Sequence, residues 1–235
     1  MLDKLKAPCR IHAGGHTSYS QSGEDLIVKY IFDAMGLKNP TYIDIGANDP
    51  WRLSNTALFY QSGSRGINIE PNPNLFEKIV QTRTKDINLN IGVSDVEDEL
   101  DFYVVSVPSL STFSKKEADR YVREHGYHIE TVMRIRVETL PNLISLHSRG
   151  RCPDFLSLDV EGLELRILQS INYDSSFPIV ICVETISFSE TGQGTKNDAI
   201  TKFLESKGYM VYADTYINTI FVSKDIWLRQ QGSSS

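Results

Sequence analysis

A strand, a tight glycine turn, a helix and a second strand follow one another between Thr41 and Glu70, and this unit constrains the fold most. The first apolar run is interrupted by Asp44 and ends at a turn with the sequence G-A-N-D-P. The second run ends on the acid Glu70. Parallel strands joined by a helix place their ligand site at their carboxyl ends. The unit therefore predicts a parallel α/β sheet that binds a nucleotide-like ligand.

Two residues of this unit have side-chain chemistry that suits such a ligand. Gly46 carries no Cβ, so we expect the backbone of the turn to approach the ligand closely. Glu70 follows roughly twenty residues later, where an acid can accept hydrogen bonds from ribose hydroxyls. The sequence thus predicts a ribose-containing ligand across this turn.

Helical and strand patterns alternate through the rest of the chain. Apolar residues at three- and four-residue steps predict a helix from Glu24 to Gly36, with Ser22 as its N-cap. Alternating or continuous apolar runs predict further strands at residues 87–93, 100–107, 131–137, 154–159, 179–184, 209–213 and 217–222. This order predicts a Rossmann-like, doubly wound sheet of about seven mostly parallel strands, with an antiparallel edge strand and a β-hairpin insertion.

The chain of 235 residues is long enough for one large α/β domain. We expect an irregular N-terminal segment at residues 1–22, the domain at residues 23–229 and an unstructured tail at residues 230–235. Residues 106–130 have no clean period and are expected to form a lid or substrate insertion within the domain.

Charge and cysteine usage exclude several classes of function. The net charge is −6 and the basic residues are scattered, which favours solvated faces over a nucleic-acid track. No apolar run approaches the ~20 residues of a membrane span, and the N-terminus lacks the apolar core of a signal peptide. Cys9, Cys152 and Cys182 have unrelated spacings, so we expect reduced thiols in a cytoplasmic protein.

Acidic residues end three of the predicted strands. These are Glu70, Asp159 and Glu184, and Asp44 lies just before the glycine turn. Any one of them has an ordinary explanation as a helix cap or a solvated side chain, but four around one turn favour a polar cofactor site. A nicotinamide dinucleotide needs the glycines of G-x-G-x-x-G, and only Gly46 is present here. An acid-rich turn instead suits a cofactor without phosphates, such as a cationic sulfonium.

Five sequence blocks together resemble the FkbM family of methyltransferases. They are D-I-G-A-N at residues 44–48, I-E-P-N-P at 69–73, L-D-V-E-G-L-E at 158–164, S-Q-S-G-E-D at 20–25 and S-N-T-A-L-F-Y at 54–60. The resemblance extends over roughly residues 18–185, and its motifs are specific only in combination. Asp49 departs from the family pattern, in which histidine or another residue is frequent, and this difference concerns the substrate side.

The resemblance implies a class I methyltransferase fold, with S-adenosylmethionine as the methyl donor. It also implies a hydroxyl acceptor, on a sugar of a glycan or on a secondary metabolite. By position, the implied cofactor-binding residues are Asp44, Gly46, Ala47, Asn48, Glu70, Pro71, Asn72, Ser94, Asp95 and Asp159. Of these, Glu70 would hold the ribose hydroxyls.

Methylation of an alcohol requires that its proton be removed. Asp159 is the first candidate for the general base, Glu161 the second, and His125 in the predicted lid is a further candidate. Alternatively, Asp159 and Glu184 could hold a divalent metal that lowers the pKa of the acceptor. Two carboxylates are an incomplete ligand shell, so the base is the preferred hypothesis.

Two other functions compete with O-methylation. One is a nicotinamide-dinucleotide oxidoreductase, which the missing glycines disfavour. The other is a non-catalytic protein that keeps the methyltransferase fold and only binds its partner. In the leading hypothesis we expect a small-molecule or glycan acceptor, selected by residues 106–130 and by the loop after Glu184.

Overall fold

The computed structural model describes residues 15–160, 162–186, 196 and 198–232. Its helices are α1 (Glu24–Ala34), α2 (Ala57–Gln61), α3 (Pro73–Thr82), α4 (Lys115–His125), α5 (Leu140–His147), α6 (Glu164–Gln169), α7 (Asp198–Ser206) and α8 (Lys224–Gly232). Its strands are β1 (Tyr42–Ile45), β2 (Gly66–Ile69), β3 (Ile87–Leu89), β4 (Gly92–Ser94), β5 (Asp98–Val105), β6 (Ile129–Thr139), β7 (Phe155–Leu158), β8 (Val180–Glu184), β9 (Tyr209–Asp214) and β10 (Asn218–Ser223).

Seven strands form one sheet in the order β3-β2-β1-β7-β8-β10-β9. The pairs from β3 to β8 are parallel, and β10 is antiparallel to both β8 and β9. The predicted doubly wound sheet of seven mostly parallel strands is therefore confirmed. Its reversed strand, β10, lies one position in from the edge, because the hairpin places β9 outside it.

The middle insertion builds a second sheet in the order β4-β6-β5. β5 and β6 pair antiparallel, which is the predicted hairpin, and β4 pairs parallel with β6. The prediction of one strand over residues 87–93 is wrong, because the chain leaves the large sheet after Leu89. Asn90 marks the break, since its side-chain amide donates to the carbonyl oxygens of Glu70 and Pro71 over 2.8 and 3.0 Å.

The start of α1 differs from the prediction as well. Gly23, with φ of +90°, occupies the N-cap position and no side chain caps the helix there, so Ser22 is not the cap. Instead, the buried carboxylates of the first turn fold the preceding segment back over the helix. Glu24 accepts a hydrogen bond from the Ser22 N–H over 2.7 Å, and Asp25 accepts one from the Tyr19 N–H over 2.7 Å.

At the other end of the chain, helix α8 continues through Gly232. The tail predicted from residue 230 therefore begins too early, and residues 233–235 lie outside the described part. Trp227 anchors the helix by packing edge-to-face on Tyr212, with 5.3 Å between ring centroids. Among the described residues, no helix is both long and apolar enough to cross a membrane.

The core surrounds the central parallel strands, which are covered on both faces. All four residues of β1 and of β7 are buried. Cys182 in β8 is fully buried and Cys152 is half-buried, whereas Cys9 lies outside the described residues. Because these strands are packed on both faces, their carboxyl ends are fixed, and they fix the starting points of the loops at that edge of the sheet.

Candidate active site

A cavity of about 230 Å³ opens at the carboxyl edge of the large sheet. The segments that follow β1, β2, β7 and β8 form its floor. Residues 108–111 and Phe113 of the insertion, Gln21 of the N-terminal segment and the turn before β10 complete the wall. This location is where an open α/β sheet builds its ligand site.

The strand order sets the sequence of acids along the cavity. Glu70 follows β2, Asp159 follows β7 and Glu184 ends β8, with the β1 turn between the first two. Neighbouring strands lie about 4.8 Å apart, so these acids span about 14 Å. They therefore line one elongated site rather than separate surface positions.

Glu70 is buried and held in a fixed orientation. Its Oε2 accepts the Asn48 N–H over 2.9 Å, and its Oε1 accepts the Asn72 N–H over 2.8 Å. Burial raises the pKa of Glu70 to about 7, although the two backbone hydrogen bonds lower it. The carboxylate thus joins the β1 turn to the start of α3 and ends at the cavity wall.

Asp44 lies within β1 and lines the cavity from below. The Thr56 hydroxyl donates to its Oδ2 over 2.6 Å. Burial raises the pKa of Asp44, and the hydrogen bond from Thr56 lowers it. This contact joins the strand to the loop that leads into α2.

Arg83 is a buried residue that sequence reasoning missed. Its Nε donates to the Pro50 carbonyl oxygen over 2.9 Å and its Nη2 donates to Ser54 Oγ over 3.1 Å. The guanidinium also lies 5.5 Å from the Trp51 ring centroid. Arg83 therefore holds the loop between β1 and α2 from beneath. No sequence signal pointed to it, because an arginine at the end of a helix usually faces solvent.

Gly46 has a structural role besides the one expected. Its φ is +81°, and a Cβ at this position would lie 1.8 Å from the carbonyl oxygen of Asp159. The missing side chain is therefore required for the turn after β1 to pack against the end of β7. Gly46 also lines the cavity, so it contacts the protein's own backbone on one side and the open site on the other.

Asp159 follows β7 at the carboxyl edge of the sheet, and its side chain is exposed at the cavity. Desolvation by the surrounding protein and the negative charges of Glu164 and Asp44 raise its pKa well above the usual range of a carboxyl group. A hydrogen bond with Glu184 opposes the shift. A carboxyl group with a raised pKa in a cavity has the properties of a general base.

Oxygens of Asp159, Glu164 and Glu184 lie within 4.8 Å of one another, which is close enough for one cation. However, Glu164 is committed to the turn, since it accepts the N–H groups of Val160 and Gly162 over 3.0 to 3.1 Å. Of these three carboxylates, Asp159 and Glu184 line the cavity. They are the two possible metal ligands predicted from the sequence.

The cavity wall brings together seven of the predicted site residues: Asp44, Gly46, Ala47, Asn48, Glu70, Pro71 and Asp159, with Glu184 as an eighth. It does not include Asn72, Ser94, Asp95 or His125. Asn72 caps α3, Asp95 pairs with Arg166 over 2.7 Å, and the His125 ring stacks on Tyr127. Glu161 lies outside the described residues.

The wall also contains three amide side chains that the sequence reading did not assign, Gln21, Asn55 and Asn218. Gln21 and Asn55 belong to two of the sequence blocks, S-Q-S-G-E-D and S-N-T-A-L-F-Y, so a signal existed for them. Asn218 carried none, because the start of an antiparallel strand has no motif of its own.

Comparison of the sequence with known families gives one match. The family described as Methyltransferase FkbM domain matches residues 44–211, more than half of the chain. No curated protein matched the sequence.

Similar solved structures are distant in sequence. An FkbM methyltransferase from Methylobacillus flagellatus KT is 14% identical, with a TM-score of 0.44, and the match covers 79% of this chain and 44% of that protein. This chain therefore spans less than half of that protein's length. A TehB-like SAM-dependent methyltransferase from Corynebacterium glutamicum is 11% identical, with a TM-score of 0.45 and coverages of 86% and 88%. An O-methyltransferase from Bacillus cereus, in complex with SAH, is 12% identical, with a TM-score of 0.37 and coverages of 87% and 81%.

Proposed function

This chain belongs to the family of FkbM methyltransferases, and from that premise we propose that it transfers a methyl group from S-adenosylmethionine to a hydroxyl group. The acceptor is a sugar of a glycan or polysaccharide, or a secondary metabolite. The observation that carries the proposal is the placement of Glu70 and Asp159 on the wall of one cavity, at the ends of β2 and β7.

The charge of the cavity wall fits a cationic donor. Among its described residues are the four carboxylates Asp44, Glu70, Asp159 and Glu184, and none is a lysine, arginine or histidine. A dinucleotide would bring its pyrophosphate against these acids with no cation to offset the repulsion. This supports S-adenosylmethionine and disfavours the nicotinamide-dinucleotide oxidoreductase.

The order of the strands suggests which residues hold each end of the cofactor. Glu70 would accept hydrogen bonds from the ribose hydroxyls, since the Asn48 and Asn72 N–H groups fix its carboxylate. Pro71 would flank the adenosine. Asp44, Gly46 and Asn48 would line the methionine end, with Asp44 oriented by Thr56. Bound there, S-adenosylmethionine would supply a methyl group that its sulfonium already activates.

The protein must then hold the acceptor oxygen in line with the methyl group and take its proton. We assign the proton transfer to Asp159, whose carboxylate faces the cavity. Because its pKa is raised toward neutral pH, Asp159 is a stronger base than an ordinary carboxylate. If a divalent ion is used instead, Asp159 and Glu184 would hold it, and the positive charge of the ion would lower the pKa of the acceptor hydroxyl.

Methyl transfer from labelled S-adenosylmethionine to a panel of sugars, glycan fragments and polyols tests the proposal. We expect label in at least one hydroxyl compound, and less of it with the Asp159→Asn variant. Binding of S-adenosylhomocysteine without any transfer would favour the non-catalytic alternative. An absorbance change with a nicotinamide cofactor and a reducible substrate would favour the oxidoreductase.

A further inference from the structure

A second part of the cavity lies beyond Asp159, on the side away from Glu70. β10 runs antiparallel to β8, so its first residue, Asn218, lies opposite Glu184 at the carboxyl edge of the sheet. Four strand spacings separate β2 from β10, which corresponds to about 19 Å between Glu70 and Asn218 along this edge. The ribose end and this end of the cavity are therefore different subsites.

Asn55 belongs to the same end. Its Nδ2 donates to Ser157 Oγ in β7 over 3.2 Å and lies 3.7 Å from Cys182 Sγ in β8. These contacts fix the amide above the two strands that end on Asp159 and Glu184. Asn55 thus faces the cavity beside the proposed base.

Gln21 reaches this end because two buried carboxylates fold the N-terminal strap, residues 18–25, across it. Asp25 accepts the Tyr19 N–H over 2.7 Å, and Glu24 accepts the Ser22 N–H over 2.7 Å. Glu24 also accepts the Asn218 amide over 3.1 Å, which joins the strap to β10.

The strap is also tied to the loop before α2, since the Ser54 N–H donates to the Tyr19 carbonyl oxygen over 3.0 Å. Both ties leave the side chain of Gln21 exposed on the cavity wall. The strap therefore has a purpose beyond starting α1, since it places an amide at the mouth of this subsite.

The charge of the subsite limits its ligand. The described cavity wall contains no basic residue, and Asp159 and Glu184 carry carboxylates within the subsite. Lys196 lies outside this wall, and its Nζ pairs with Asp214 over 2.7 Å and donates to Thr185 Oγ1 over 3.0 Å. An acceptor with a phosphate, sulfate or carboxylate near its reacting hydroxyl would meet like charges on this wall and no basic side chain among its described residues.

We propose that Gln21, Asn55 and Asn218 form an acceptor subsite for an uncharged, hydroxyl-bearing ring such as a sugar, and that this subsite rejects anionic acceptors. The inference rests on the proposed methyl transfer. Amides donate and accept hydrogen bonds, which matches the two-way hydrogen bonding of hydroxyl groups. Ile186 and Ile217 line the same region and would pack against the C–H face of a ring.

The test uses labelled S-adenosylmethionine and matched pairs of acceptors, in which each neutral methyl glycoside is paired with its phosphate ester or uronic acid. Products are separated by anion exchange. We expect neutral acceptors to have a kcat/KM about tenfold or more above that of their anionic partners. The ratio should shrink at high ionic strength, because salt screens the repulsion. Equal or greater activity with the anionic partners would overturn the inference.

A variant pair tests the position of the subsite. Gln21→Lys adds a cation at the mouth and is expected to reduce the neutral-to-anionic ratio about threefold or more. Gln81→Lys makes the same change on the exposed face of α3, outside the cavity wall, and should leave the ratio at the wild-type value. An unchanged ratio in Gln21→Lys would overturn the assignment of Gln21.

The measurements distinguish failure of the subsite from failure of the proposed methyl transfer. A preference for anionic acceptors contradicts only the subsite, since methyl transfer still occurs. No labelled product from any acceptor, with S-adenosylhomocysteine still bound, contradicts the proposed function and the subsite with it.

Discussion

A Cβ on Gly46 would lie 1.8 Å from the carbonyl oxygen of Asp159, so the turn after β1 and the end of β7 are packed against one another. The two residues are more than a hundred positions apart in sequence and are brought together by the parallel pairing of β1 with β7. This contact links the proposed cofactor end of the cavity to the proposed base.

Replacement of Gly46 by alanine should disturb both ends of this contact. The backbone at Gly46 has a left-handed φ, and the added carbon must displace the Asp159 backbone. We expect a loss of about 2–4 kcal/mol in the free energy of unfolding, together with loss of S-adenosylhomocysteine binding. Urea denaturation and calorimetry measure the two effects.

Gly208→Ala is the matched control for that variant. Gly208 has a φ of +85°, and an added Cβ would meet nothing within 4 Å. The strain alone should cost about 1 kcal/mol and leave binding intact. If both variants lose the same stability and both keep binding, the contact between Gly46 and Asp159 has no functional consequence.

Glu70→Gln should weaken the binding of S-adenosylhomocysteine. The substitution keeps the shape of the side chain and removes the charge that would accept the ribose hydroxyls. Loss of such a hydrogen-bonded charge costs about 1.5–3 kcal/mol, or roughly 10- to 150-fold in Kd. Glu77→Gln, on the exposed face of α3, is the control and should bind as the wild type does. An unchanged Kd in Glu70→Gln would remove this residue from the ribose role.

The raised pKa of Glu70 predicts opposite pH trends for stability and for binding. Its pKa rises from a usual value of 4.5 to about 7 in the folded protein, so the folded state favours the protonated acid. The ligand-free protein should lose about 3 kcal/mol from this group as pH increases from 4.5 to 7. As the pH increases toward 7, the affinity for S-adenosylhomocysteine should increase, because only the ionised carboxylate of Glu70 would accept both ribose hydroxyls.

Thermal melts and calorimetry between pH 5.5 and 8 measure the two trends, and Glu70→Gln should flatten both. A melting temperature that rises steadily from pH 5.5 to 8 in the wild type, with the same slope in the variant, would contradict the buried-acid interpretation.

Asp159→Asn should separate catalysis from binding. Loss of a general base lowers kcat by about 10²- to 10⁴-fold, whereas the Kd for S-adenosylhomocysteine should change by much less. Asp225→Asn in the first turn of α8 removes an exposed carboxylate far from the cavity and serves as the control. A kcat near that of the wild type in Asp159→Asn would exclude this residue as the base.

Removal of divalent ions distinguishes the base from a metal at the same carboxylates. With Asp159 as the base, activity should persist after dialysis against EDTA. Loss of activity that added Mg²⁺ restores would instead assign Asp159 and Glu184 to a metal ion, with Glu164 as their neighbour.

Much of the fold followed from local sequence patterns. The unit of strand, turn, helix and second strand was predicted because two apolar runs, a glycine turn and the terminal acid Glu70 occur within about thirty residues. The division of residues 87–94 into two strands was not predicted, because it depends on hydrogen bonds from the Asn90 side chain to the carbonyl oxygens of Glu70 and Pro71. A contact across twenty positions leaves no trace in the local pattern.

The same distinction explains the site. Residues at the ends of strands, such as Glu70 and Asp159, were predicted because parallel strands bring their ends together. Arg83 and Asn218 were missed, because their roles depend on which loops pack above or below them. The expected reason for Gly46 was also incomplete, since only the structure reveals that the end of β7 fills the space beside it.

Calorimetric titration of the protein with S-adenosylhomocysteine at pH 7.5 tests the central claim most directly. We expect saturable binding of one ligand per chain, weakened at least tenfold in Glu70→Gln and retained in Glu77→Gln. The absence of heat at high micromolar ligand, from a protein that melts cooperatively, would contradict the assignment of this cavity to S-adenosylmethionine.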